Sequence, residues 1–180
     1  AINETKKSII LSTGMATIEE IDKIFKIIKN KKKISVLHAI SIYPASILNA
    51  NLNSIKYIEN KYKVISGYSD HCIGWEACIL AVTMGAKIIE KHFTLDNKRK
   101  GFDHKISLNP KNFKKMVNDI RRIEQIVGAI DKKPNKEELK VKNNIVRYCV
   151  ASKDIFKGEK INISNTQFKR VNNIKKGLKA

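Results

Sequence analysis

The sequence predicts an α/β protein built on a parallel sheet, and three observations carry this. Four short apolar runs, at residues 9–11, 34–37, 64–68 and 88–89, recur at a spacing of roughly 25 residues. Each is followed by a stretch with apolar residues at helical spacing, so parallel strands with helical crossovers are expected. Each run also ends in small polar or ionisable residues, as on the upper rim of a (β/α)8 barrel, where strand C-termini carry the chemistry. Four units make half of such a barrel, which takes about 250 residues. The chain of 180 residues therefore reads either as an open four-stranded sheet or as a piece of something larger.

The first strand, Ile9-Ile10-Leu11, runs into the polar turn Ser12-Thr13-Gly14. Thr17 and Glu20 have capping-box spacing, and Ile18, Ile21, Ile24, Phe25 and Ile28 recur on one helical face. The second strand continues as His38-Ala39-Ile40-Ser41-Ile42-Tyr43-Pro44 into a loop stopped by proline, and Leu52, Ile55, Ile58 and Tyr62 predict a short helix. The third strand ends in Gly67-Tyr68-Ser69-Asp70-His71-Cys72-Ile73-Gly74, and residues 77–84 form the heart of its helix. The fourth strand ends in Glu90-Lys91-His92-Phe93-Thr94, followed by a long polar loop over residues 96–108. Asn109-Pro110 opens a helix lined by Phe113, Met116, Val117, Ile120, Ile123 and Val127 and closed by Gly128.

Beyond Gly128 the composition changes. The expected domains are 1–130, a partial barrel; 131–145, a charged linker with helical tendency; and 146–180, a small β-rich module. In that module residues 146–151 read as a strand, Lys157-Gly158-Glu159 as a turn, and Ile161 and Ile163 as a second, alternating strand. About 35 residues are too few for an independent core.

A formal charge of +19 raises the question of nucleic acid. The lysines are spread over nearly every segment, with Lys31-Lys32-Lys33 and Lys98-Arg99-Lys100 as short runs and no interleaved aromatics. No nucleic-acid partner is expected, and the basic surface suits steering of anionic substrates. No apolar stretch approaches the ~20 residues that span a bilayer, so no membrane partner is expected. Three cysteines without CxxC spacing and an N-terminus without a signal-peptide pattern predict a reducing, cytoplasmic setting and no structural zinc.

Leu11-Ser12-Thr13-Gly14-Met15, Ser41 with Tyr43-Pro44, the Gly67-to-His71 motif, residues 85–96 and Gly101 with Asp103-His104-Lys105 occur in this order along the chain. Together with Ser107-Leu108 and Pro110 they make the chain resemble the sialic acid (N-acetylneuraminate) synthases and their legionaminate relatives. The resemblance implies the C-terminal half of a (β/α)8 TIM barrel. Ala151-Ser152-Lys153-Asp154-Ile155 and the following residues through Lys169-Arg170 resemble the start of the family's SAF (antifreeze-like) domain, here truncated.

That family condenses phosphoenolpyruvate with an N-acetylated amino sugar aldehyde, such as N-acetylmannosamine, and releases phosphate. Pseudaminate and spore-coat polysaccharide synthases are the nearest alternatives; a non-catalytic carbohydrate- or partner-binding remnant is the alternative from another class. By resemblance His71 and His92 hold a divalent metal, Mn2+ first and Mg2+ as the alternative, leaving positions open for substrate and water. Ser12, Ser41 and Ser69 match contacts to phosphoenolpyruvate. Tyr43 and Asp103 match contacts to the amino sugar. Arg170 matches the arginine that the antifreeze-like domain of a neighbouring subunit extends into the active site, so a domain-swapped homodimer is expected of the complete protein. With His71 and His92, Asp103 and Arg170 are the expected catalytic residues. Read singly, a strand-end histidine is an ordinary hydrogen-bonded residue; two of them on adjacent strand ends in these motifs reverse that reading. His38, inside a strand, is expected in the core, His104 is expected to steer its loop, and Cys72 has no base beside it to make it a nucleophile.

Two departures stand out. The motifs of the barrel's first half are absent, and Val171-Asn172-Asn173 stands where a Pro-Gly-type turn is expected after Arg170. The isolated chain is therefore expected to have no synthase activity; sugar-dependent phosphate release by the purified 180-residue polypeptide would contradict this.

Overall fold

The computed structural model describes residues 4–5, 7–28, 30–170 and 178–179; Val171, Asn172 and Asn173 lie outside them. The chain divides into two compact units, Ala1–Gly128 and Ala129–Ala180.

The first unit carries four strands, β1 (Ile9–Ser12), β2 (Ile34–Ala39), β3 (Ile65–Asp70) and β4 (Ile88–Lys91). They pair in parallel in the order β1-β2-β3-β4. Sequential order with every crossover helical is half of a (β/α)8 barrel. The crossovers are α1 (Ile18–Ile27), α2 (Asn53–Tyr62) and α3 (Glu76–Thr83). After β4 come a short helix, α4 (Phe102–Ile106), and the long α5 (Pro110–Val127).

Local chemistry starts and stops these helices. Thr17 accepts from the Glu20 amide while Glu20 reaches back to the Thr17 amide, completing the capping box of α1. Asn109 caps α5 through the Asn112 amide, Pro110 occupies its first turn, and Gly128 ends it at a positive φ of 59°. Lys63 closes α2 in the left-handed region without being glycine.

Side chains alternate across each strand. One face of the sheet packs on the helices: Val36 with Ile21, Phe25 and Ile58, and Tyr68 with Ile55, Ala77 and Ala81. A third cluster joins α3 to α5 through Cys78, Leu108, Met116 and Ile120, with Trp75 Nε1 donating to Asp119 at 3.0 Å. Asp22 on α1 accepts from Lys61 Nζ at 2.9 Å and from the Tyr62 hydroxyl at 2.8 Å, and Phe25 stacks on the Tyr62 ring. By the same alternation, Ile10 and Ser12, Leu37 and Ala39, Ile65, Gly67 and Ser69, and Ile88 and Glu90 share the opposite face. Ile10 and Ile65 are exposed there.

The expected polar loop over residues 96–108 is corrected. It contains α4, and Ile106 and Leu108 are buried. Thr94 Oγ1 and His104 Nδ1 lie 2.7 Å apart, and the Asn97 amide donates to the carbonyls of His104 and Ser107. These tertiary bonds fold a segment too short and too polar to announce a helix.

In the second unit, α6 (Lys136–Ile145) takes up most of the expected linker, capped by the reciprocal Asn135–Glu138 box. β5 (Arg147–Ala151) pairs antiparallel with β6 (Thr166–Arg170) and with β7 (Leu178–Lys179). The expected strand at Ile161 and Ile163 is also corrected: both are exposed and neither is in a strand. Asn162 accepts from the amide and hydroxyl of Ser164, turning the chain there, and pairing begins only at Thr166.

His38 is a core residue, 8% exposed, with Nε2 2.8 Å from the Ala50 carbonyl and its ring beside Tyr68. Burial holds its pKa below the ordinary histidine value. A base depressed in the folded state stays neutral there while the unfolded chain takes up a proton, so stability is lost as pH falls below about 6.5. The loss from this one group is at most about 1.4 kcal/mol per pH unit. His38→Gln is predicted to flatten the fall in melting temperature between pH 7 and 5, measured by circular dichroism; an unchanged slope would contradict the assignment.

Candidate functional site

The C-terminal ends of β3 and β4 bring His71 and His92 together, their ring centroids 5.3 Å apart. His71 is buried, and its Nδ1 lies 2.7 Å from the Ile40 carbonyl just past β2. A carbonyl can only accept, so this bond places the proton on Nδ1 and leaves Nε2 as the basic nitrogen. His92 is more open, its side chain 27% exposed, and its backbone carbonyl accepts from the Leu108 amide. The Tyr43 ring closes the group, 4.2 Å from His71 and 5.5 Å from His92. Asp103, on α4, brings a carboxylate oxygen to 4.0 Å from His92 Nδ1, with its own side chain 64% exposed. Three of the expected site residues thus surround one point, and a fourth stands at its margin.

The two imidazoles fit a divalent cation. Imidazole suits a wide range of first-row metals, and His71 and His92 are the residues that would hold such an ion. Among the described residues, no three or more His, Cys, Asp or Glu gather to hold a metal. With only two ligands from this chain, such an ion would keep its remaining positions open.

The serines lie on neighbouring strand ends. Ser12 ends β1 and is exposed. Ser41 follows β2 against Gly14; a Cβ at residue 14 would fall 1.9 Å from the Ser41 hydroxyl oxygen, so the glycine of the Ser12-Thr13-Gly14 turn makes room for Ser41. Thr13 fixes that turn by donating its amide and hydroxyl to the Leu37 carbonyl. Ser69 is buried, and its hydroxyl donates to Glu90 at 2.6 Å. A serine has a single O–H, and in this arrangement that of Ser69 is committed to Glu90. Arg170 ends β6 in the second unit, exposed and in register with Arg147. It belongs to a different unit from the histidines.

Sequence reasoning missed Glu90, Asp70 and Lys91. Asp70 and Lys91 form an ion pair of 2.8 Å with side chains 0% and 1% exposed. Asp70 also accepts from the Cys72 amide at 2.9 Å and the Cys78 thiol at 3.1 Å, and Lys91 donates to the Cys72 carbonyl. Removing one partner of such a pair leaves an uncompensated buried charge, at a cost of about 3–5 kcal/mol. All three residues stand inside the strand-end motifs, but their partnership is visible only in the register, Ser69 opposite Glu90 and Asp70 opposite Lys91. Burial and the Asp70 charge raise the thiol pKa values of Cys72 and Cys78, which keeps both protonated and unreactive.

A pocket of about 510 Å3 is lined by Tyr43, Pro44, Ile106 and the basic residues Lys98, Arg99, Lys100 and Lys105. No helix among the described residues is long and apolar enough to cross a membrane.

Residues 1–132 match the family model described as the NeuB family. The N,N'-diacetyllegionaminic acid synthase of Campylobacter jejuni is 40% identical over 173 residues, covering 94% of this chain and 52% of that protein. The pseudaminic acid synthase of the same organism is 41% identical over 169 residues, covering 92% and 49%. Among solved structures, the N-acetylneuraminic acid synthetase of Leptospira borgpetersenii, crystallised with citrate, superimposes with a TM-score of 0.72 at 38% identity, covering 77% of this chain and 49% of that one. A putative spore coat polysaccharide biosynthesis protein E from Chromobacterium violaceum superimposes with a TM-score of 0.80 at 26% identity, covering 99% and 54%. The chain spans about half the length of the curated relatives it matches.

Proposed function

The chain belongs to the NeuB family, and from that premise we propose that it forms the metal-binding half of a synthase condensing phosphoenolpyruvate with an N-acetylated amino sugar to give a nonulosonic acid and phosphate. The observation that carries this reading is the pair of imidazoles on adjacent strand ends, 5.3 Å apart, with His71 held by the Ile40 carbonyl. When bound between them, a divalent cation, manganese first and magnesium as the alternative, supplies Lewis-acid polarisation of the sugar's aldehyde.

The chain's own residues then have separate tasks. His71 and His92 would hold the ion through ring nitrogens. Ser12 and Ser41 offer hydroxyl donors to the phosphate of phosphoenolpyruvate, as do amides at strand-to-helix turns. Ser69 either turns to that phosphate or keeps Glu90 in place at the rim of the site. Tyr43 packs against both imidazoles and presents its exposed edge to the amino sugar. Asp103 accepts from sugar hydroxyls. The second unit is read as the beginning of a SAF domain, and Arg170 as the residue it contributes to a neighbouring copy in a cytoplasmic homodimer. Similarity to both legionaminic and pseudaminic acid synthases leaves the acetamido pattern of the sugar to the assay.

The test fuses this chain to the N-terminal half of the Campylobacter legionaminic acid synthase. The fusion is predicted to release phosphate from phosphoenolpyruvate only with a divalent cation, Mn2+ or Mg2+, and an N-acetylated or diacetamido sugar. His71→Ala and His92→Ala should each lower kcat by at least about 100-fold (order of magnitude from loss of metal-supplied stabilisation). Turnover undiminished by both substitutions would overturn the reading.

A further inference from the structure

Each candidate ligand histidine is preceded by one member of the buried ion pair: Asp70 by His71, Lys91 by His92. We propose that Asp70 and Lys91 are a positioning pair that sets the separation of the two imidazoles. The metal reading above supplies the consequence of this inference, while its geometry stands apart from that reading.

The Lys91 ammonium bonds the Asp70 carboxylate and the Cys72 carbonyl. It therefore grips the residues on both sides of His71 from the position adjacent to His92. Asp70 is itself fixed at three points: its Oδ1 takes the Cys72 amide, and its Oδ2 takes both Lys91 and the Cys78 thiol of α3. The strand register continues into this grip, since Asp70 and Lys91 are directly opposed. The pair lies on the helix side, where Asp70 meets α3, while Ser69 and Glu90, one residue earlier on each strand, meet on the other face. Strand-end backbones fray where ladder bonds stop; here the last opposed pair carries opposite full charges, shielded from water. A buried ion pair is commonly no more stabilising than an apolar replacement of similar volume. What an apolar pair lacks is direction, and the groups that need direction are the rings one residue further on.

The experiment compares the purified chain with Asp70→Asn/Lys91→Met, a nearly isosteric double variant without buried charge. Three quantities are read: the melting temperature, the His71–His92 ring separation in crystal structures, and Mn2+ affinity from the paramagnetic resonance of the free ion. A positioning role predicts rings that spread and Mn2+ binding weakened about tenfold or more, the usual range for partners that orient metal ligands, in a protein that still melts cooperatively. Rings at the original separation with unchanged Mn2+ affinity would overturn the proposal, even if the melting temperature fell. If the unsubstituted chain takes up no Mn2+, the metal reading fails by itself, and the ring separation alone decides: spread supports the pair's role, and unmoved rings overturn it. Asp70→Glu, which keeps both charges but lengthens one arm, covers the case in which the double variant does not fold and is read by the same criteria.

Discussion

Parallel pairing of β3 with β4 is the constraint on which the rest of the site depends. It places Ser69 opposite Glu90 and Asp70 opposite Lys91, and the next residue on each strand end is a histidine. The pairing is close. A Cβ at Gly67 would fall 2.5 Å from the Ile88 carbonyl oxygen and 2.4 Å from the Leu37 side chain, so the glycine lets β3 lie between its neighbours. Tyr68 and Cys72 pack into the helix layer and prevent a slip of one residue, which would exchange the two faces. Sheet register, a packing property, thereby becomes the distance between two imidazoles.

Chemistry and stability are divided between the two faces of the sheet. The helix side holds the apolar clusters together with the Asp70–Lys91 pair and two inert thiols. The other face carries Ser12, Ser69 and Glu90, and the strand ends above it carry the histidines. This is the arrangement of an α/β barrel, in which the rim changes without disturbing the core. Residues 1–132, which match the NeuB family, contain the β3 and β4 ends with both histidines.

Much of this was legible in the sequence, for identifiable reasons. Apolar runs ending in Ser, Asp and His mark strand ends because few other structures need that order, and all four strands lie where the runs are. The Thr17–Glu20 box and the Asn109-Pro110 start are local interactions, so local spacing reveals them. His71, His92 and Tyr43 were legible only through motif order; the structure brings their rings together. What could not be read depends on tertiary contact. Helix α4 is held by Thr94 and Asn97 from outside its own span. Ile161 and Ile163 alternate like a strand but remain exposed, because Asn162 turns the chain. Asp70 and Lys91 look like surface charges in a lysine-rich chain, and only register and burial make them a pair.

In the proposed function, His71 and His92 would together hold one divalent ion. The most direct test is pulsed paramagnetic resonance of Mn2+ added to the purified protein, with and without 15N-labelled histidine. Couplings to two histidine nitrogens, one of them lost in His71→Ala and the other in His92→Ala, are the result the account predicts. Mn2+ with only water and oxygen couplings, the same in the protein and both variants, would contradict it.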